Sequence, residues 1–152
     1  MPNWIEGTMK VRGKAEDLIR FFENGFDAPV KKEEFDDASV VLYTIEPMVY
    51  INGSRRAFTG HGRDYEIRSY IGSVQTVPVP IKQAWSFTPY EGAEQRWIDL
   101  SKKYNLDIRL QGFESGMEFY QDVEIVGGEM IRNDEKKYAD WDWECPMPLM
   151  GG

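Results

Sequence analysis

Residues 54–69, SRRAFTGHGRDYEIRS, hold four arginines (Arg55, Arg56, Arg63 and Arg68) and the only histidine of the chain, His61. Guanidinium and imidazole groups beside glycines are the groups that meet phosphate or a carboxylate. Against Asp64 and Glu66 the segment carries +2, while the whole chain carries −8, so the remainder stands at −10. Two uses of this positive charge follow. The arginines can pair with acids of the same chain, such as those at 33–37 or in the tail. Alternatively Arg55, Arg56, His61 and Arg63, with Phe58, Tyr65 and Tyr70 nearby, can contact phosphate or nucleic acid.

Other constellations are thinner. With one histidine and one cysteine, Cys145, the chain lacks the ligand set of a structural zinc site and the nucleophile–base set of a hydrolase. Thr59-Gly60-His61-Gly62-Arg63 contains a Gly-x-Gly, but the following residues read as extended, so the strand–loop–helix frame of a phosphate loop is missing. Glu114 and Glu118 could form an acid/base pair. A strand register that points them to opposite faces argues against a shared site, and Glu114 is better placed to accept hydrogen bonds from a turn. Neither catalytic residues nor a metal or other cofactor are expected, and the chain does not read as an enzyme.

The elements that must position these residues can be read from periodicity. At 152 residues, 41% hydrophobic, 29% charged and 14% aromatic, the chain fits one globular domain spanning 1–152. No apolar run is long enough to span a membrane, the N-terminus lacks a signal-peptide pattern, and a lone cysteine suits a reducing compartment. An intracellular, cytoplasmic protein is the expectation. Residues 6–13 alternate as a strand, and 14–26 place Leu18, Ile19, Phe22 and Phe26 at helical spacing before an Asn24-Gly25 stop. Residues 27–39 read as a polar loop, 40–47 as a strand, and Asn52-Gly53 as a hairpin turn. Pro78 and Pro80 predict an edge or bent strand. A second helix carries Ala93, Trp97, Leu100 and Tyr104 on one face and ends at Asn105.

A hairpin over 106–128 follows. A two-residue turn at Ser115-Gly116 would put Ile108, Leu110, Gly112 and Glu114 on the core side. Arg109 would then face Asp122, Gln111 would face Tyr120 and Phe113 would face Glu118, with Phe113 and Tyr120 standing among charges. The tail, 134–152, is acidic. Alternation in Ala139-Asp140-Trp141-Asp142-Trp143-Glu144 predicts an edge strand with Trp141 and Trp143 on one face, and the last residues should fray.

Strand–helix–strands repeated twice is the pattern of a ferredoxin-like α+β fold: two helices on a mainly antiparallel sheet, here with an extra β-hairpin insertion and a variable region at about 27–80. PNWIEGTMKVRGKAEDLIRFF resembles the opening of the YubB-like ferredoxin-like family of phage, plasmid and integrative-element proteins. The stretch from Ala84 to Met130, with Glu114-Ser115-Gly116-Met117-Glu118-Phe119, resembles that family's later half. The resemblance implies a bacterial mobile-element accessory protein and brings no catalytic residues with it. Two functions stay open. One is a non-catalytic protein that binds a host or element-encoded protein, a basic partner or as an acidic inhibitor or mimic, through Phe113, Tyr120, Trp141 and Trp143. The other is a nucleic-acid-binding regulator using the sheet aromatics and the Arg55–Arg68 segment.

Overall fold

The computed structural model describes residues 2–27, 30–34, 39–44, 49–51, 56–59, 64–68 and 73–152. Arg55, His61 and Arg63, and the Asn52-Gly53 turn, lie outside them. The chain is α+β. Among the described residues it forms β1 (Trp4–Lys14), α1 (Ala15–Asn24), β2 (Val30–Glu34), β3 (Ser39–Thr44), β4 (Val49–Tyr50), β5 (Ala57–Thr59) and β6 (Asp64–Arg68). These are followed by β7 (Val74–Ala84), α2 (Ala93–Tyr104), β8 (Asp107–Glu114), β9 (Phe119–Val126), β10 (Glu129–Lys137) and α3 (Trp141–Glu144). A seven-stranded antiparallel sheet runs in the order β10-β9-β8-β1-β7-β5-β4, and β2-β3-β6 form a smaller sheet. The large sheet exceeds the four strands of a ferredoxin-like fold.

Alternation makes β1 two-sided. Ile5, Met9 and Val11 are buried, while Lys10 and Arg12 on the other side are exposed. The buried side meets α1 and α2. Phe21, Phe22 and Phe26 of the first helical segment form an edge-on aromatic cluster, and Tyr104 of α2 joins it with its ring centre 5.4 Å from that of Phe21. Trp97 is fully buried, and its indole N–H donates to the Phe87 carbonyl at 3.0 Å. Among the described residues the other side of the large sheet carries neither α1 nor α2 and forms an open face; the tail reaches it at Glu6, whose carboxylate accepts from Gly151 N–H at 3.3 Å.

The helix ends follow their residues. Asn105 takes the left-handed conformation at φ 54° and closes α2, as its side chain permits. Gly25 closes α1 at φ −81°, so freedom of φ is not its use. A Cβ there would stand 2.6 Å from the Phe21 carbonyl oxygen.

Several expectations need correction. Residues 30–34 are not loop but strand β2, paired to β3, and the insertion is therefore larger than one hairpin. β7 is an inner strand, not an edge. Its prolines are tolerated because β5 reaches only Ile81–Gln83, and because Ala84 N–H donates to Arg56 O, which sets even-numbered N–H positions of β7 away from β1. Pro78 and Pro80 thus remove no bond from the β1 ladder. The β8–β9 turn has four residues, 115–118, and Glu114 faces Phe119. Because the register moved by two, the faces are as expected. The tail is not a strand: β10 runs on to Lys137, and 141–144 form a helical turn. The last residues are held, with Gly152 N–H donating to Trp4 O at 2.8 Å and Ser115 Oγ donating to Gly151 O at 3.1 Å.

β1 and β8 approach closely at a pair of glycines. Gly7 stands opposite Gly112, and a Cβ on Gly7 would lie 1.9 Å from the Gln111 carbonyl oxygen. A Cβ on Gly112 would lie 2.8 Å from the buried Phe87 ring. Gly7→Ala should therefore destabilise the fold by about 3 kcal/mol, the upper range for overpacking. Urea denaturation measures it, and a loss below about 1 kcal/mol would show that the two strands can part without cost.

Candidate functional site

The open sheet face is built from the outward residues of β1, β7, β8, β9 and β10. Directly paired residues share a face, so the register settles membership. Lys10 stands opposite Arg109, Glu6 opposite Lys82 and Phe113, and Tyr120 opposite both Phe113 and Lys136. Phe113 and Tyr120 are half-buried, with ring centres 5.0 Å apart at 42°. Gln111 Nε2 donates to the Tyr120 hydroxyl at 2.8 Å. Burial pushes the Tyr120 phenol above its ordinary value, and the hydrogen bond from Gln111 opposes that rise only in part.

Charge on this face is largely paired. Arg109 grips Asp122 with two bonds, at 3.1 and 2.8 Å, and the carboxylate raises the guanidinium above its usual value. Asp122 is itself buried. The expected cross-strand partners Arg109–Asp122 and Gln111–Tyr120 are thus real contacts, made on the diagonal rather than directly across. Arg12 holds Asp107 at 2.7 Å, and Arg132 bridges Glu124 and Asp134 at 3.4 and 3.2 Å. A cleft of about 220 Å³ opens beside Lys10, Arg12, Thr76, Arg109 and Glu124. At the other end, Trp4, Phe58 and Tyr50 form an aromatic row, with Lys82 Nζ 5.7 Å from the Trp4 ring centre.

The tail makes a separate surface. Asp140 caps α3, accepting from Trp143 N at 3.4 Å, while Asp140 N–H donates to Glu144 Oε1 at 3.1 Å. A helical turn sets residues two apart on opposing sides. Trp141 is therefore buried, stacked edge-on to Tyr138 and bonded through its indole N–H to Pro148 O at 2.9 Å. Trp143 is 87% exposed among Asp140, Asp142 and Glu144. The two tryptophans do not share a face.

Of the arginine segment, Arg56 lies exposed at the entry to β5, and Arg68 pairs with Glu66 of its own strand at 3.6 Å. That pairing is internal, though not to the tail or to the acids at 33–37. Glu114 is fully buried and accepts from Gly116 N and Met117 N at 2.6 and 2.8 Å, a turn-closing role. Glu118 belongs to that turn, at φ 59°. Among the described residues no group of three or more His, Cys, Asp or Glu side chains is arranged to hold a metal, and no helix is long and apolar enough to cross a membrane. Lys10, Arg12, Trp4 and Lys82 were not singled out from sequence. Their outward position was legible from alternation, but their convergence depends on which strands flank β1.

No protein-family model matches the chain, no curated protein matches it, and no solved structure matches it.

The raised Tyr120 and Tyr138 phenols favour the protonated form in the folded state. Their contribution to stability is complete below about pH 10, the ordinary tyrosine value, and is lost as pH rises through the raised values. Tyr120→Phe should shrink the late phase of a spectrophotometric tyrosine titration and flatten the fall in stability above pH 10. An unchanged late phase would mean that Tyr120 is not desolvated.

Proposed function

We propose that the protein is a non-catalytic accessory protein that binds a protein partner, and that Trp143 is the anchor of the contact. The observation that carries this is the exposure of Trp143, 87% for a large aromatic side chain, on a turn held by the Asp140 cap and the Trp141–Pro148 hydrogen bond. A mobile residue could be exposed by chance of packing; Trp143 is instead held outward by the Asp140 cap and the buried Trp141 beneath it. Large aromatics ringed by polar groups are the usual centres of binding energy in interfaces. Asp140, Asp142 and Glu144 select a basic partner and speed its approach, with the net charge of −8 acting in the same direction. Trp141, Phe113 and Tyr120 fall outside this contact.

The family reading belongs here as well. The series β1, α1, β5, β7, α2, β8 follows the β-α-β-β-α-β pattern, and β8-β1-β7-β5 lie side by side in the sheet. A ferredoxin-like core, extended by β9 and β10 on one side and β4 on the other, is consistent with that. A bacterial cytoplasmic location and a mobile-element origin follow from the resemblance of residues 2–22 and 84–130, and the buried free thiol of Cys145 suits a reducing compartment.

Affinity capture from a bacterial lysate, followed by titration of the captured protein, tests the reading. Trp143→Ala should weaken binding at least tenfold and change stability by less than about 0.5 kcal/mol. Trp141→Ala should instead cost about 3–5 kcal/mol of stability. Equal affinity of the Trp143→Ala and parent proteins for a basic partner would overturn the assignment.

A further inference from the structure

We infer that the open sheet face is a binding track for single-stranded nucleic acid, with Lys10 and Lys82 contacting phosphates and the Phe113–Tyr120 pair receiving a base. The site is distinct from the Trp143 surface and does not use the arginines of the Arg55–Arg68 segment, from which it takes only Phe58.

The first observation is charge. By the register the face carries seven cations (Lys10, Arg12, Lys14, Lys82, Arg109, Arg132, Lys136) against six carboxylates (Glu6, Asp107, Asp122, Glu124, Glu129, Asp134), on a chain of net charge −8. Positive charge is thus gathered here while the rest of the molecule is acidic. The second observation is who is left over. The arginines consume Asp107, Asp122, Glu124 and Asp134, and Glu6 accepts the Gly151 N–H at 3.3 Å. Lys10, Lys82 and Lys136 have no carboxylate partner among the described residues. Lys10 moreover stands directly opposite Arg109 across the β1–β8 ladder. Like charges so placed cost stability, and folding gains nothing from them. An anion in the adjoining cleft of about 220 Å³, whose lining also holds Asp107 and Glu124, each already paired with an arginine, would relieve the repulsion.

The third observation is spacing. Phe113 lies four residues along β8 from Arg109, about 13 Å at ~3.3 Å per residue. The row of Trp4, Phe58 and Tyr50 lies further along, beside Lys82. From Arg12 to Trp4 the outward side of β1 covers eight steps, about 26 Å. Alternating cations and aromatic rings over such a length match a strand of several nucleotides, which bind by stacking on rings and by phosphate contacts to cations. A duplex offers no exposed base faces for the aromatic pair, so the face selects single strands.

The test is fluorescence anisotropy with a labelled mixed-sequence 12-nucleotide DNA, single-stranded and as a duplex, titrated with the full chain. The single strand should bind in the micromolar range at 50 mM salt. Two phosphate contacts, at Lys10 and Lys82, would weaken that binding about sevenfold on going to 200 mM salt. Lys10→Glu/Lys82→Glu should lose at least tenfold. Lys102→Glu/Lys137→Glu, an equal change of charge at residues outside the open-face set, should lose less than threefold. Both pairs are exposed, and circular dichroism checks that each variant is folded. Tripolyphosphate should compete poorly, because it offers phosphate without bases. Absence of binding at 50 mM salt, equal losses in the two double variants, equal affinity for the duplex, or full competition by tripolyphosphate would each overturn the inference.

Discussion

The close approach of β1 and β8 at Gly7 and Gly112 is the constraint on which the rest of the molecule depends. Two strands that cannot hold a Cβ between them must pair in one register, since any slip would drive a side chain into the neighbouring backbone. That register sets Ile5, Met9 and Val11 toward the helices and Lys10 and Arg12 away from them. The space left above Gly112 is filled by Phe87, whose carbonyl receives the Trp97 indole and whose N–H is received by Gln121. One steric feature therefore couples the sheet, the loop before α2 and α2 itself.

From the same register come two unlike surfaces. The open face joins paired arginines, unpartnered lysines and half-buried rings. The α3 turn holds one exposed tryptophan among carboxylates, stabilised from below by Trp141 and the Pro148 carbonyl. The tail does not fray because its glycines lie against Trp4, Phe113 and Ser115, where Gly151, at φ 82°, leaves no room for a Cβ. An acidic body with a locally basic sheet would orient an approaching polyanion toward that face and a basic protein toward the remainder.

Much of the fold was legible in the sequence. The two helices, the Asn105 cap and the core faces of β1 and β8 follow from local periodicity and turn chemistry, which single residues such as Trp97 and Asn105 report directly. The hairpin faces survived a wrong turn length because the side-chain period is two. The tail was misread because Asp-Trp-Asp-Trp alternates equally well for a strand, and only the Asp140 cap with Glu144 at helical distance tells otherwise. Strand β2 was missed because Lys31–Glu34 carry no apolar alternation; pairing with β3 supplies what the segment itself does not show. The open face was half visible. Outward residues could be named along each strand, but long-range pairing decides that Lys10 meets Arg109 and that Lys82 meets Trp4.

Amide chemical shifts recorded while a 12-nucleotide single strand is added test the division of surfaces most directly. Shifts that cluster on Lys10, Lys82, Arg109, Phe113 and Tyr120, with the Trp143 indole signal unmoved, are the expected result. Shifts centred on α1 and α2, or on the Trp143 turn, would contradict it.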